Sequence, residues 1–173
     1  VYLDVTKDDE VKNLYYKLKA ENVELFGIIN NAGYASAGIM EEANIEKIKQ
    51  QLEVNSFAPL RVATTMLPLM KKGKIINMSS VSSNFVYPFI TPYCASKRLL
   101  DTLFQGLTLV LGNKDVKIVS IKPSIIKTPL WNKSFKIAED NFNECSEEIR
   151  QKYQPMIDKF LKYVKGQVPK GLE

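Results

Sequence analysis

Tyr93 and Lys97 stand four residues apart in a stretch of helical character, so a phenol and an ammonium share one helix face. A free phenol ionises near pH ~10 and is a poor base at neutrality. A neighbouring positive charge favours the phenolate and draws that value down. The pair can therefore give and take a proton near neutral pH. Taken alone, it is more often a core tyrosine beside a surface lysine. Its neighbours change that reading. Ser80 lies thirteen residues before Tyr93, at the end of an apolar run, where its hydroxyl can meet a ligand. Asn30-Asn31-Ala32-Gly33 closes the preceding apolar run, and Asn55 falls in the helical stretch between.

Composition narrows the chemistry further. The chain has 173 residues and no histidine, which removes Ser-His-Asp and Cys-His mechanisms and the usual zinc sites. Acid/base work falls to Tyr, Lys, Asp, Glu or Cys. Cys94 and Cys145 are the only cysteines, far apart, with neither metal-ligand spacing nor a disulfide framework. No metal is expected, and a reducing, cytoplasmic location is. Cys94 reads as a small packing residue. The net charge of +5 comes from scattered lysines, with one cluster at Lys71, Lys72 and Lys74. No aromatic-plus-basic groove accompanies it, so no nucleic-acid partner is expected. The longest apolar runs are too short to span a bilayer.

The elements that position these residues alternate. Residues 1–5 read as the end of a strand, after which Thr6 caps a helix with Asp9 as capping-box partner. Apolar runs at 25–29, 74–78 and 116–121 read as buried strands. Helical stretches are expected at 44–70, at 92–111 with Pro92 in the first turn, and at 149–164. The result is one α/β domain with a parallel sheet, whose ligands sit beyond the carboxyl ends of the strands. Pro59 cannot donate to the Asn55 carbonyl four residues back. The freed carbonyl either joins a water relay toward Lys97 or marks a packing kink.

Taken together, Leu3-Asp4-Val5-Thr6, Asn30-Asn31-Ala32-Gly33, Val54-Asn55, Asn77-Met78-Ser79-Ser80, Tyr93-Cys94-Ala95-Ser96-Lys97 and Pro123-Ser124-Ile125-Ile126-Lys127-Thr128 resemble the short-chain dehydrogenase/reductase family in order and spacing. Each piece alone reads more simply, as a turn former or a cap. The resemblance implies a Rossmann-like doubly wound parallel sheet, incomplete here, with strands 3 to 6 and their flanking helices. It implies a catalytic set of Asn55, Ser80, Tyr93 and Lys97. Tyr93 would be the acid/base, Lys97 would lower its pKa and bind the nicotinamide ribose, Ser80 would hold the substrate oxygen and Asn55 would join the relay. Asp4 and Val5 would contact adenine, with Asn31, Ala32 and Gly33 lining the cleft and Ile126 and Thr128 meeting the carboxamide. Ser124 stands where the family usually has glycine. NAD or NADP is the implied cofactor. The implied reaction is hydride exchange with an alcohol/ketone, and a non-catalytic dinucleotide sensor, a partner-binding member or an inactive fragment is the alternative.

No Gly-x-x-x-Gly-x-Gly occurs. The chain is therefore expected to be an internal part of a longer protein, lacking roughly 50 to 60 residues at its front. Segment 129–173 would cover the site as a substrate lid, and its Trp131, Phe135, Phe142, Tyr153, Met156 and Phe160 suggest an apolar substrate. The helices at 44–70 and 92–111 are expected to form a homodimer or homotetramer, with Phe104 as a contact.

Overall fold

The computed structural model describes residues 1–112, 115–128 and 130–171. Three short apolar strands, β1 (Gly27–Asn30), β2 (Gly73–Met78) and β3 (Val116–Ile121), pair in parallel in the order β1-β2-β3. Register aligns Ile28 with Ile75 and Ile118, and Ile29 with Ile76 and Val119. Strand side chains alternate between faces. The first row packs under helices α1 (Asp8–Ala20), α3 (Ala58–Met66) and α4 (Thr91–Leu111), in a core with Val11, Ala63, Met66, Leu100 and Phe104. The second row lies on the open face, where Ile29 is 68% exposed.

Residues 1–5 form no strand, contrary to expectation. An extended segment is held by its ladder, and among the described residues β1 pairs with β2 alone, which leaves residues 1–5 no strand to join. It makes a turn instead, Lys7 N donating to the Asp4 carbonyl (3.0 Å). Thr6 does not cap α1. Its amide and hydroxyl both donate to Asp4 Oδ1 (3.0 and 2.7 Å), and the helix starts two residues later with no side-chain cap.

The expected helix over 44–70 is interrupted. Asn44 caps α2 (Ile45–Leu52) by accepting from Glu46 N and Lys47 N. A π turn then spans Glu53–Phe57, with Ala58 N donating to the Glu53 carbonyl, before α3 resumes. Pro59 lacks the amide that an α-helical bond to residue 55 requires, and the wide turn sits where that bond is missing. The expectation for 92–111 holds within one residue, with Pro92 in the first turn of α4. Phe104, however, is 1% exposed and belongs to the core, whereas Leu109 and Val110 are 83% and 82% exposed.

Beyond β3, α5 (Leu130–Asn143) and α6 (Glu147–Gln167) pack as a hairpin on a second apolar cluster. Positions 129, 172 and 173 of the expected lid lie outside the described residues. Phe142 and Phe160 close on Phe89 with ring centroids 5.9 and 5.5 Å away. Lys47 bonds Glu144 (2.6 Å), and Glu41 accepts from both Lys152 and Tyr153 at 2.8 Å. The hairpin is thereby clipped to the segment entering α2. Among the described residues no helix is long and apolar enough to cross a membrane.

Candidate active site

The carboxyl ends of β1 and β2 and the first turns of α4 converge on one small volume. Asn30 Nδ2 donates to Asn77 Oδ1 (2.8 Å), tying the two strand ends together. Lys97, 6% exposed, reaches back from α4 to donate to the Met78 carbonyl (2.8 Å) and lies 5.8 Å from the centroid of the Tyr93 ring. The i,i+4 pair thus faces the end of β2, where Ser79-Ser80 begins. Ser80 is buried at the cap of a short helical turn, its Oγ accepting from Ser82 N (3.1 Å). Cap and catalytic group are therefore compatible roles for one hydroxyl.

Asn55, buried in the π turn, grips the chain just past Gly33. Its Oδ1 accepts from Tyr34 N (3.0 Å), and its Nδ2 donates to the Tyr34 carbonyl (2.8 Å) and to Ser96 Oγ (3.0 Å). Ser96 Oγ in turn donates to the Tyr93 carbonyl (2.7 Å). Residue-level reading missed Gln51 and Ser96. Gln51 is fully buried one turn before Asn55, donating to the Tyr34 carbonyl and accepting from Ser36 Oγ, each at 3.2 Å. The available signal was the i,i+4 spacing of two amides on one helix face.

The structure brings Asn55, Tyr93, Lys97, Ser80 and the Asn31-Ala32-Gly33 loop together. Asp4 and Val5 are tied elsewhere: Asp4 Oδ1 is taken by Thr6, and the Val5 carbonyl accepts from Arg61 (3.2 Å), which also bonds Glu53. Ile126 and Thr128 lie on the loop leaving β3, where the Ile126 carbonyl accepts from Trp131 Nε1 (2.8 Å). Trp131 is thereby fixed beside the loop expected to meet a carboxamide.

Electrostatics sort the pair. Burial pushes the Tyr93 phenol above its ordinary value, and the neighbouring Ser80 hydroxyl only partly offsets this. Burial pulls Lys97 down from 10.5 to about 8, opposed by the Asp101 carboxylate four residues on. Lys97 is engaged on Met78, and the expected lowering of the phenol by the ammonium does not prevail in this arrangement.

The lysine shift has a stability consequence. Its folded value lies below its unfolded one, so the native state loses the proton while the unfolded chain still holds it. Stability therefore rises as pH climbs through 8 toward 10.5. Between about pH 7 and about pH 9.5 the chain should gain about 2 kcal/mol relative to Lys97→Met in urea unfolding. Parallel profiles for the two proteins would contradict the assignment.

The donor set suits a dinucleotide. A Cβ at Gly33 would stand 3.0 Å from Asn55 Oδ1 and 3.6 Å from Lys97 Nζ, so glycine keeps this wall open. An ammonium carries three donors, one of which is committed to Met78. Among the described residues no group of three or more His, Cys, Asp or Glu side chains is placed to hold a metal.

The family model for short chain dehydrogenase matches residues 1–139. The chain is 31% identical over 165 residues to the uncharacterized oxidoreductase YusZ of Bacillus subtilis (strain 168), covering 94% of this chain and 57% of that protein. It is 30% identical over 164 residues to the mitochondrial D-beta-hydroxybutyrate dehydrogenase of Bos taurus, covering 88% of this chain and 48% of the other. A short-chain dehydrogenase from Burkholderia cenocepacia J2315, solved in complex with NADP, superposes with a TM-score of 0.70 at 26% identity, over 77% of this chain and 56% of that one. The chain spans about half the length of the curated relatives it matches.

Proposed function

Because the chain belongs to the short-chain dehydrogenase/reductase family, a family of oxidoreductases, we propose that the whole protein exchanges a hydride between NAD or NADP and an apolar alcohol/ketone, with Tyr93 as acid/base. The observation that carries this reading is the half-buried Tyr93 set among the buried Lys97, Ser80 and Asn55 at the end of a parallel sheet.

The bound nicotinamide supplies or accepts the hydride. Ser80 holds the substrate oxygen, with its Oγ oriented by Ser82 N. Tyr93 transfers the proton. A phenol kept protonated by burial is in the state needed to protonate a carbonyl, which favours reduction. Lys97 binds the nicotinamide ribose hydroxyls, and Asn55 orders the Tyr34 backbone and joins the proton relay. Asn31, Ala32 and Gly33 line the adenosine side, Ile126 and Thr128 the carboxamide, and Asp4 and Val5 the adenine. No glycine-rich pyrophosphate loop occurs in this sequence, and in this reading the whole protein supplies it from residues outside these 173.

Of the six lid side chains, Phe142, Tyr153 and Phe160 are spent on the second apolar cluster. The apolar-substrate reading therefore leans on Trp131 beside Ile126, and on Phe85 and Val86, exposed just past Ser80. The proposed compartment is the cytoplasm. The whole protein is proposed to pair with itself through the α2–α3 and α4 helices, since Leu109 and Val110 are exposed on α4. Leu109→Glu should shift it to monomer in sedimentation, and an unchanged dimer or tetramer would remove that face from the interface.

Reduction of a panel of apolar ketones, followed by loss of reduced-nicotinamide absorbance, tests the function. Turnover that varies with ketone is expected. Dinucleotide binding without consumption would instead favour a sensor.

A further inference from the structure

Asp101 is a buried carboxylate for which the proposed chemistry has no task. It lies one turn past Lys97 on α4, so the two side chains are i,i+4 neighbours. Its Oδ2 is paired with Lys122 Nζ at 2.9 Å, and the Asp101 side chain is 9% exposed. Lys122, the residue after β3, also donates to Asn84 Oδ1 (3.0 Å). Burial alone would push the Asp101 carboxyl up. The paired Lys122 ammonium opposes that, and the carboxyl sits below the usual carboxylate value. Arg98 closes the same arrangement by donating to the carbonyls of Ser83 (2.9 Å) and Asn84 (3.1 Å).

Through Lys122, one carboxylate therefore links three segments that bear the site. Asn84, bonded by the same Lys122, lies four residues past Ser80. The helix carries Tyr93 and Lys97. Lys122 immediately precedes the loop that runs from Pro123 to Thr128. A buried charge is costly unless paired, and here each partner lies on a segment the chemistry needs.

We propose that Asp101 is a positioning residue of this site: it clamps the Ser80 loop, the Tyr93 helix and the exit of β3 together, and its negative charge stands behind the Lys97 ammonium. The proposal rests on the reading of Tyr93 and Lys97 as the acid/base pair. The charged or titratable groups facing Lys97 are Tyr93 and Asp101 on its own helix, with Lys122 and Arg98 beyond Asp101.

The test is a titration of Lys97 by NMR, with lysine labelled at its ε-carbon and the signal assigned with Lys97→Met. Asp101→Asn should move the Lys97 midpoint down by about one pH unit, and Asp101→Glu should restore it. An unmoved midpoint in Asp101→Asn, or an Asp101→Glu that behaves like it, would overturn the proposal. A structural defect alone lowers stability without moving that midpoint.

Lys122→Met cuts the clamp at its ion pair. In the whole protein it should raise the dinucleotide KM several-fold, and Lys122→Arg should restore it. An unchanged KM would overturn the clamp, and this arm decides if Asp101→Asn does not fold. The midpoint is read without turnover, so an inactive wild type would refute the proposed function and leave the Asp101 result readable.

Discussion

Tyr93→Phe is expected to lower turnover by about a thousandfold or more in the whole protein, within the range a positioned general acid contributes. Only the phenol oxygen is lost. The ring stays in the first turn of α4, and Lys97 keeps its bond to the Met78 carbonyl at 2.8 Å. Asn55 and Ser96 keep theirs, because Ser96 Oγ bonds the backbone of Tyr93 and not its side chain. Dinucleotide affinity should therefore stay within about threefold of wild type, which separates loss of an acid from loss of binding. Rapid-mixing kinetics and equilibrium binding on the same preparation check both halves. An unchanged kcat would remove Tyr93 from the mechanism.

Gly73→Ala is expected to have the largest effect on folding. Gly73 opens β2 at φ +142, a conformation open to glycine and strained for other residues. An alanine Cβ there would stand 1.9 Å from the Phe26 carbonyl oxygen. That oxygen cannot withdraw freely, because it accepts from Lys74 N (3.1 Å) at the first step of the β1–β2 ladder. Gly73 N is itself bonded to the Asp115 carbonyl (3.1 Å), which holds the opposite side. Relief of the clash would break a ladder bond on one flank or the other. The expected cost is about 3 kcal/mol or more, from backbone strain plus a lost buried hydrogen bond. Urea unfolding of the purified chain, or its recovery as insoluble protein, is the readout. A variant within about 0.5 kcal/mol of wild type, the range of an ordinary surface substitution, would contradict the β1–β2 register.

The site was more legible in the sequence than its supports. Apolar runs ended by Asn30-Asn31-Ala32-Gly33 and Ser79-Ser80 place two strand ends, and Pro92 places the start of α4 within one residue. Spacing alone then put Tyr93 and Lys97 on one face. Residues 1–5 read as a strand on composition, yet strand formation depends on a partner that local sequence does not reveal. Pro59 flagged the break beside Asn55, but not that the helix would widen into a π turn before it. α5 is not legible in the sequence because its run from Leu130 is largely polar, and it is held by Phe142 and Ala138 packing on Phe89 and its neighbours. The apolar residues that surround α4 in sequence make Phe104 read as an interface contact. Only the packed sheet shows that the core claims Phe104 while Leu109 and Val110 are left outside. Gln51 and Asp101 are not legible in the sequence for the converse reason. A polar residue on a buried face looks like a surface residue until its partners, Tyr34 and Ser36 in one case and Lys122 in the other, are in place.

The central claim is that this chain carries the proton-transfer half of a nicotinamide-dependent reduction. Its most direct test incubates the whole protein with an apolar ketone and reduced nicotinamide dinucleotide bearing deuterium on the transferable face, then locates the label by mass spectrometry. The account predicts an alcohol with deuterium on the former carbonyl carbon from wild type, and none from Tyr93→Phe on the same timescale. Alcohol formed without the label, equal labelling by Tyr93→Phe, or dinucleotide that binds and is never consumed would contradict it.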